Sequence, residues 1–169
     1  MNRAEQTVLE AKSSLFIHTR VNGKSWEGEV APHTTLLDFL RSRLGLKGTK
    51  LSCDMQVCGA CTVLVNGQAV SSCTSLAYEI RDKEVLTIEG LAHDAELDPL
   101  QQAFIDQNAV QCGYCTSGMI LMAKALLLEK SHPTPEDIRE FMEGVLCRCG
   151  TYKAVEEAIL SVSSREARS

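Results

Sequence analysis

The sequence predicts an α+β chain: a sheet domain with a helix on one face, followed by an all-helical domain. Three observations carry this. In the first half, two short strand pairs flank Asn-Gly dipeptides, residues that tolerate the positive φ angles of a type I′ hairpin turn. From Asp98 onward the apolar period lengthens to that of a helix. Pro, Thr and Gly punctuation then divides the second half into four segments of helical length. A chain of 169 residues has room for two small domains, and 44% hydrophobic content can fill their cores.

Residues 14–90 make up the first domain. Ser14 to Val21 and Lys24 to Val30 form a hairpin about Asn22-Gly23. Thr34 is expected to cap a helix in which Leu36, Leu37, Leu40 and Leu44 recur at helical spacing until Gly45 closes it. Cys61 to Val65 and Gln68 to Ser72 form a second hairpin about Asn66-Gly67, and Val85 to Glu89 reads as a last strand. The boundary falls between Gly90 and Asp94.

Residues 91–163 make up the second domain. Asp98-Pro99 opens a helix that presents Leu100, Ala103 and Phe104 on one face. Thr116 to Glu129 is apolar on most sides and should be central. Pro133-Thr134-Pro135 breaks the chain, and Thr134 with Asp137 makes a capping box ahead of Ile138, Phe141 and Met142. Thr151 is expected to cap the last helix, whose buried stripe is Ala154, Val155, Ala158, Ile159 and Val162. Four helices in about seventy residues make a small bundle.

Charge and composition narrow the function. A formal net charge of −5 disfavours nucleic acid as a partner. The first fourteen residues are polar, carry Glu5 and Glu10 and lack an apolar run, so no secretory segment is read there. The longest apolar stretch, Gly118 to Leu128, is interrupted by Lys124 and is too short to span a bilayer. A cytoplasmic location is expected, where thiols stay reduced and serve as metal ligands more often than as disulfides.

The eight cysteines fall into two quartets with none left over. Cys53, Cys58, Cys61 and Cys73 leave gaps of four, two and eleven residues. This C-x4-C-x2-C…C spacing is that of a plant-type [2Fe–2S] site. Three thiolates converging from one loop leave little room for side chains, and Gly59 and Ala60 suit that crowding. A zinc site is the competing reading, but zinc knuckles pair two short C-x2-C units. Cys112, Cys115, Cys147 and Cys149 form the second quartet, at two junctions between predicted helices. Helix N-termini there favour thiolates and an anionic cluster. A thioredoxin-like redox pair at Cys112 and Cys115 would leave Cys147 and Cys149 unexplained. His18, His33, His93 and His132 are scattered, so a Rieske-type centre is unsupported. Gly45 to Lys50 does not have the spacing of a phosphate loop. Trp26 and Tyr114 read as packing residues.

The segments GTKLSCDMQVCGACTVLVNGQAVSSC, QCGYCTSGM and LCRCGTY resemble the iron–sulfur subunit of the molybdenum hydroxylases, the xanthine dehydrogenase and aldehyde oxidoreductase group. The resemblance runs from about Phe16 to Val162. It implies a ferredoxin-like β-grasp domain followed by a four-helix bundle, each holding one [2Fe–2S] cluster. It further implies a large partner subunit with molybdopterin cofactor and often a third subunit with FAD, electrons leaving to FAD or a cytochrome. Gln111 and Cys149 would then lie against the pterin, although spacing alone makes Gln111 a solvated turn residue. Arg148 would raise the cluster potential by its charge, against the ordinary reading of an exposed arginine. Family members commonly have Gly-Asn where this chain has Gly144-Val145. The competing readings are a free-standing two-cluster ferredoxin and a zinc-stabilised structural adaptor.

Overall fold

A computed structural model describes residues 14–94 and 96–166, with side chains described through residue 163. The polar stretch read as lacking a secretory segment lies almost wholly outside the described residues. Strand β1 (Leu15–Val21) pairs antiparallel with β2 (Lys24–Val30) across a turn in which Asn22 and Gly23 take φ of 51° and 74°. Strand β3 (Thr62–Val65) pairs with β4 (Gln68–Ser71) across Asn66 and Gly67, with φ of 50° and 81°. Both hairpins thus form as the Asn-Gly chemistry requires. Strand β5 (Glu84–Leu86) enters between β1, to which it is parallel, and β3, to which it is antiparallel. The sheet order is β2-β1-β5-β3-β4.

The last strand is shorter than Val85 to Glu89. Beyond Val21 the β1 partner turns away, and Asn22 takes its place through side-chain hydrogen bonds to the Thr87 amide and hydroxyl, at 2.8 and 3.0 Å. The chain then tightens into a 3₁₀ turn at Ile88–Gly90. Helix α1 also departs from expectation. Its cap is Thr35, whose Oγ1 accepts from the Asp38 amide at 3.0 Å, whereas the Thr34 carbonyl accepts from Ala77. After one α-turn at Leu36–Asp38 it widens into a π-helical segment, Phe39–Arg43, closed by Leu44 N–H donating to the Phe39 carbonyl. Leu36, Phe39 and Leu40 thereby reach the sheet core, while Leu37 packs with Cys61 and Cys73.

The second half contains four further helices among the described residues: α2 (Pro99–Asp106), α3 (Thr116–Glu129), α4 (Pro135–Met142) and α5 (Tyr152–Glu166). Their shared core includes Leu100, Phe104, Met119, Leu121, Ile138, Val155 and Ile159. Asp98 caps α2 at the expected start, with Gln101 completing a capping box that the sequence reading did not include, and Thr134 caps α4 through the expected box with Asp137. None of these helices is long and apolar enough to cross a membrane.

The two cores meet at β3. All four β3 residues are buried, because Val63 and Val65 face the sheet core while Leu64 faces the helical core. Helix α3 covers that second face, which explains why its apolar residues surround most of its circumference. Burying side chains of this kind stabilises a fold by roughly 1.5–3 kcal/mol each.

Candidate metal centres

The first quartet sits in the connection from α1 to β3 and just beyond β4. Asp54 and Gln56 adopt φ of 56° and 60°, and Gly59 66°, so the loop coils tightly around Cys53. Left-handed residues turn successive N–H groups inward, the arrangement that cradles anions. The Cys53 sulfur accepts from the Val57 and Cys58 amides, each at 3.3 Å. The Met55 amide first, and then those of Cys58 and Val57, bring its pKa down to about 6. Burial and then the neighbouring Cys73 thiol push Cys61 up to about 11. The loop is braced by Thr62 Oγ1 to the Gly59 carbonyl and Ser72 Oγ to the Cys61 carbonyl, both at 2.7 Å.

The second quartet joins the start of α3 to the loop before α5. The four thiols come together as two pairs, Cys112 with Cys149 and Cys115 with Cys147. Burial and the Cys147 thiol push Cys115 up to about 12. Burial opposes ionisation of Cys147 as well, yet the Thr151 hydroxyl and amide, the Cys115 thiol and the Cys149 amide bring it down to about 7. Cys112 is lowered, chiefly by the Tyr114 amide and then by the Cys149 thiol. The Cys112 amide pulls Cys149 down, but the Cys112 thiol, burial and the charge of Cys147 outweigh it and leave Cys149 raised. Within each pair one thiol is therefore acidic and its partner reluctant to ionise.

A [2Fe–2S] core needs two thiolates on each iron, whereas zinc needs four on one ion. Cys53 with Cys58, Cys61 with Cys73 and the two pairs above match the first requirement. The donor set fits two diiron clusters.

The remaining expectations resolve individually. Gln111 and Arg148 are exposed, Gln111 next to Cys112 and Arg148 between Cys147 and Cys149. Trp26 packs edge-on against Phe39 with ring centroids 4.7 Å apart. Tyr114 is half-exposed, and its hydroxyl donates to the Leu51 carbonyl in the first cysteine loop. Val145, where family members commonly have Asn, is fully buried in the helical core and packs against Gly59.

Sequence reading missed how closely the two sites approach. The Leu146 amide donates to the Cys58 carbonyl at 3.0 Å, so neighbours of Cys147 touch the first loop directly. A Cβ on Gly59 would lie 2.2 Å from the Gly144 carbonyl oxygen, and one on Gly118 would lie 2.4 Å from the Gly59 carbonyl oxygen. Gly59 beside Cys58, and Gly118 three residues after Cys115, were the available signal. Thr151 was read only as a helix cap; its bond to a cysteine was missed, Oγ1 donating to Cys147 Sγ at 3.2 Å, and the two-residue step from Cys149 hinted at it.

Comparison with known proteins points to iron–sulfur chemistry. Residues 19–92 match a family described as a 2Fe-2S iron-sulfur cluster binding domain, and residues 87–160 match a [2Fe-2S] binding domain. The nicotinate dehydrogenase small FeS subunit of Eubacterium barkeri is 43% identical over 147 residues, covering 87% of this chain and 94% of that one. A probable xanthine dehydrogenase subunit of Bacillus subtilis is 44% identical over 135 residues, covering 80% of this chain and 78% of that one. A chain of the crystal structure of quinoline 2-oxidoreductase from Pseudomonas putida 86 superposes with a TM-score of 0.87 at 38% identity, covering 92% of this chain and 96% of that chain. With both domains matched and relatives covered over most of their length, this chain belongs to the iron–sulfur subunits of the molybdenum hydroxylases, the xanthine dehydrogenase and aldehyde oxidoreductase family, and is an electron-transfer component of an oxidoreductase.

Proposed function

We propose that the chain works in the cytoplasm within a multi-subunit molybdenum hydroxylase, its two [2Fe–2S] clusters when bound accepting single electrons from a molybdopterin centre in a large partner subunit and releasing them to FAD in a third subunit or to a cytochrome. Residues 14–90 form a ferredoxin-like β-grasp domain and residues 91–163 a four-helix bundle. Cys53, Cys58, Cys61 and Cys73 hold the first cluster. Cys112, Cys115, Cys147 and Cys149 hold the second.

The observation that carries this reading is the tie between the sites. One hydrogen bond, from the Leu146 amide to the Cys58 carbonyl, links the backbone of a first-site ligand to the residue preceding a second-site ligand. Tyr114 and Ser117 add two more ties, to the carbonyls of Leu51 and Gly48. A diffusing carrier gains nothing from sites locked together in this way. Exposed apolar residues frame both loops: Leu51, Met55 and Val57 beside the first, Val110, Leu146 and Tyr152 near the second. Such clusters mark surfaces that partners cover. Exposed Gln111 and half-buried Cys149 would contact the pterin, Gln111 through its side-chain amide, and the molybdopterin subunit would then lie beside the second site.

Iron and acid-labile sulfide are each expected at about four per chain, with two distinct low-temperature EPR signals after reduction. Isolation of the native protein with a molybdopterin subunit supports the reading, and a stable solitary carrier overturns it. Cys149→Ser is expected to lower molybdopterin content in the purified complex, whereas Cys73→Ser leaves that content intact and slows electron exit. Equal molybdopterin occupancy in the two variants would remove Cys149 from the pterin contact.

A further inference from the structure

We infer that the Thr151 hydroxyl raises the reduction potential of the second site by donating a hydrogen bond to Cys147 Sγ, an inference that rests on Cys147 being a cluster ligand. Thr151 is buried, and its Oγ1 stands 3.2 Å from the sulfur. Water therefore does not compete for the donor. The residue precedes α5, and its carbonyl accepts from the Val155 amide as the first bond of that helix. An N-cap hydroxyl ordinarily accepts from a nearby amide; here its proton points at the sulfur instead. The next residue supports the same cysteine, because the Tyr152 hydroxyl accepts from the Cys147 amide at 2.7 Å. The first residues of α5 thus hold both the side chain and the backbone of Cys147.

Donors to a ligating sulfur stabilise the more negative, reduced state and raise the potential. The sulfur chosen is informative. Cys147 is buried and adjoins Leu146, which bonds to Cys58, whereas Cys112 is exposed at the opposite side of the pairing. The Thr151 donor thus favours negative charge on the side facing the first site. No bond to Thr151 forms or breaks: one electron arrives from the partner subunit's substrate-reduced centre, one leaves toward the acceptor, and the hydroxyl keeps its proton.

The test is an EPR-monitored redox titration of the intact purified complex carrying Thr151→Val, with Thr151→Ser beside it. The second-site signal is identified as the one that Cys112→Ser perturbs. In the valine variant that signal should titrate lower, its one-electron equilibrium weakened about tenfold, or about 59 mV, while the first-site signal stays in place. Serine keeps the hydroxyl and should keep the parent potential. A purely structural cap would lower thermal stability without moving either potential, and that result overturns the inference, as does an equal shift of both signals. If valine prevents iron incorporation, Thr151→Ala removes the hydroxyl with less bulk; loss of iron from both variants assigns Thr151 to assembly and also overturns it. Absence of iron and sulfide from the parent complex would instead defeat the reading of Cys147 as a ligand.

Discussion

Thiol ionisation in the metal-free chain is set residue by residue, by which backbone amides and neighbours each sulfur meets. Cys53, at about 6, is mostly thiolate at neutral pH, whereas Cys61 at about 11 and Cys115 at about 12 are almost wholly protonated. Brief alkylation of unloaded chain at pH 7, mapped by peptide mass spectrometry, should therefore label exposed-loop Cys53 first and Cys61 and Cys115 last. Uniform labelling would show that the inward-turned amides of the first loop form only with metal. Because the reluctant thiols must ionise to bind iron, cluster loading should release protons and proceed more readily as pH rises.

Helix termini decide stability at the scale of the element. Asp98 accepts from the Leu100 amide at 2.9 Å and pairs with Lys124 of α3 at 2.9 Å, so one carboxylate both caps α2 and fastens it to its neighbour. Asp98→Ala is expected to cost about 1–2 kcal/mol in urea unfolding, as cap removals do, and Asp98→Asn less, since the amide oxygen still caps. Asp137 sits well below the ordinary carboxylate range, at about 2, held there by the Lys130 ammonium and then by the amide and hydroxyl of Thr134. A depressed carboxylate contributes stability above its unfolded value and loses it as pH falls through the folded one. The gap in Tm between the parent and Asp137→Asn should thus be constant above about pH 5 and narrow as pH approaches 2. A gap that stays fixed across this range would show that Asp137 acts through its shape alone.

At the scale of the whole molecule, the two domains are joined through glycines that permit backbone contact. Gly118→Ala would force its methyl against the Gly59 carbonyl, and Gly59→Ala would press on Gly144 while also straining a residue at φ of 66°. Overpacking of this kind costs about 1–3 kcal/mol. Both variants should unfold at lower urea, Gly59→Ala the more severely, and intercluster electron exchange should slow in each. Unchanged exchange in Gly118→Ala would show that the Cys58–Leu146 contact tolerates a displaced α3. Leu64 on β3 belongs to the helical core, so isolating either domain would expose apolar surface, and the pair should unfold together.

Features written over short stretches of chain were determined by the sequence itself. The Asn-Gly hairpins, the Asp98 and Thr134 caps and the span of α3 each depend on dihedral preferences or apolar periodicity within a few residues, and all stand where local chemistry puts them. The close cysteine spacings, Cys53-Cys58-Cys61, Cys112-Cys115 and Cys147-Cys149, stand out for the same reason, since each lies within one short stretch of chain. Contacts between distant segments required the tertiary structure. Thr34 and Thr35 are equivalent by type, and only pairing of the Thr34 carbonyl with Ala77 leaves Thr35 as the cap. The π-helical widening of α1 places its apolar residues between the sheet core and the Cys61–Cys73 pair, a demand invisible in the leucine spacing. Strand β5 ends early because Asn22, 65 residues away, takes over its hydrogen bonds. Which thiols pair, how Gly59 and Gly118 bring the sites together and where the Thr151 proton points all depend on backbone approach at contact distance, which packing of the two domains alone decides.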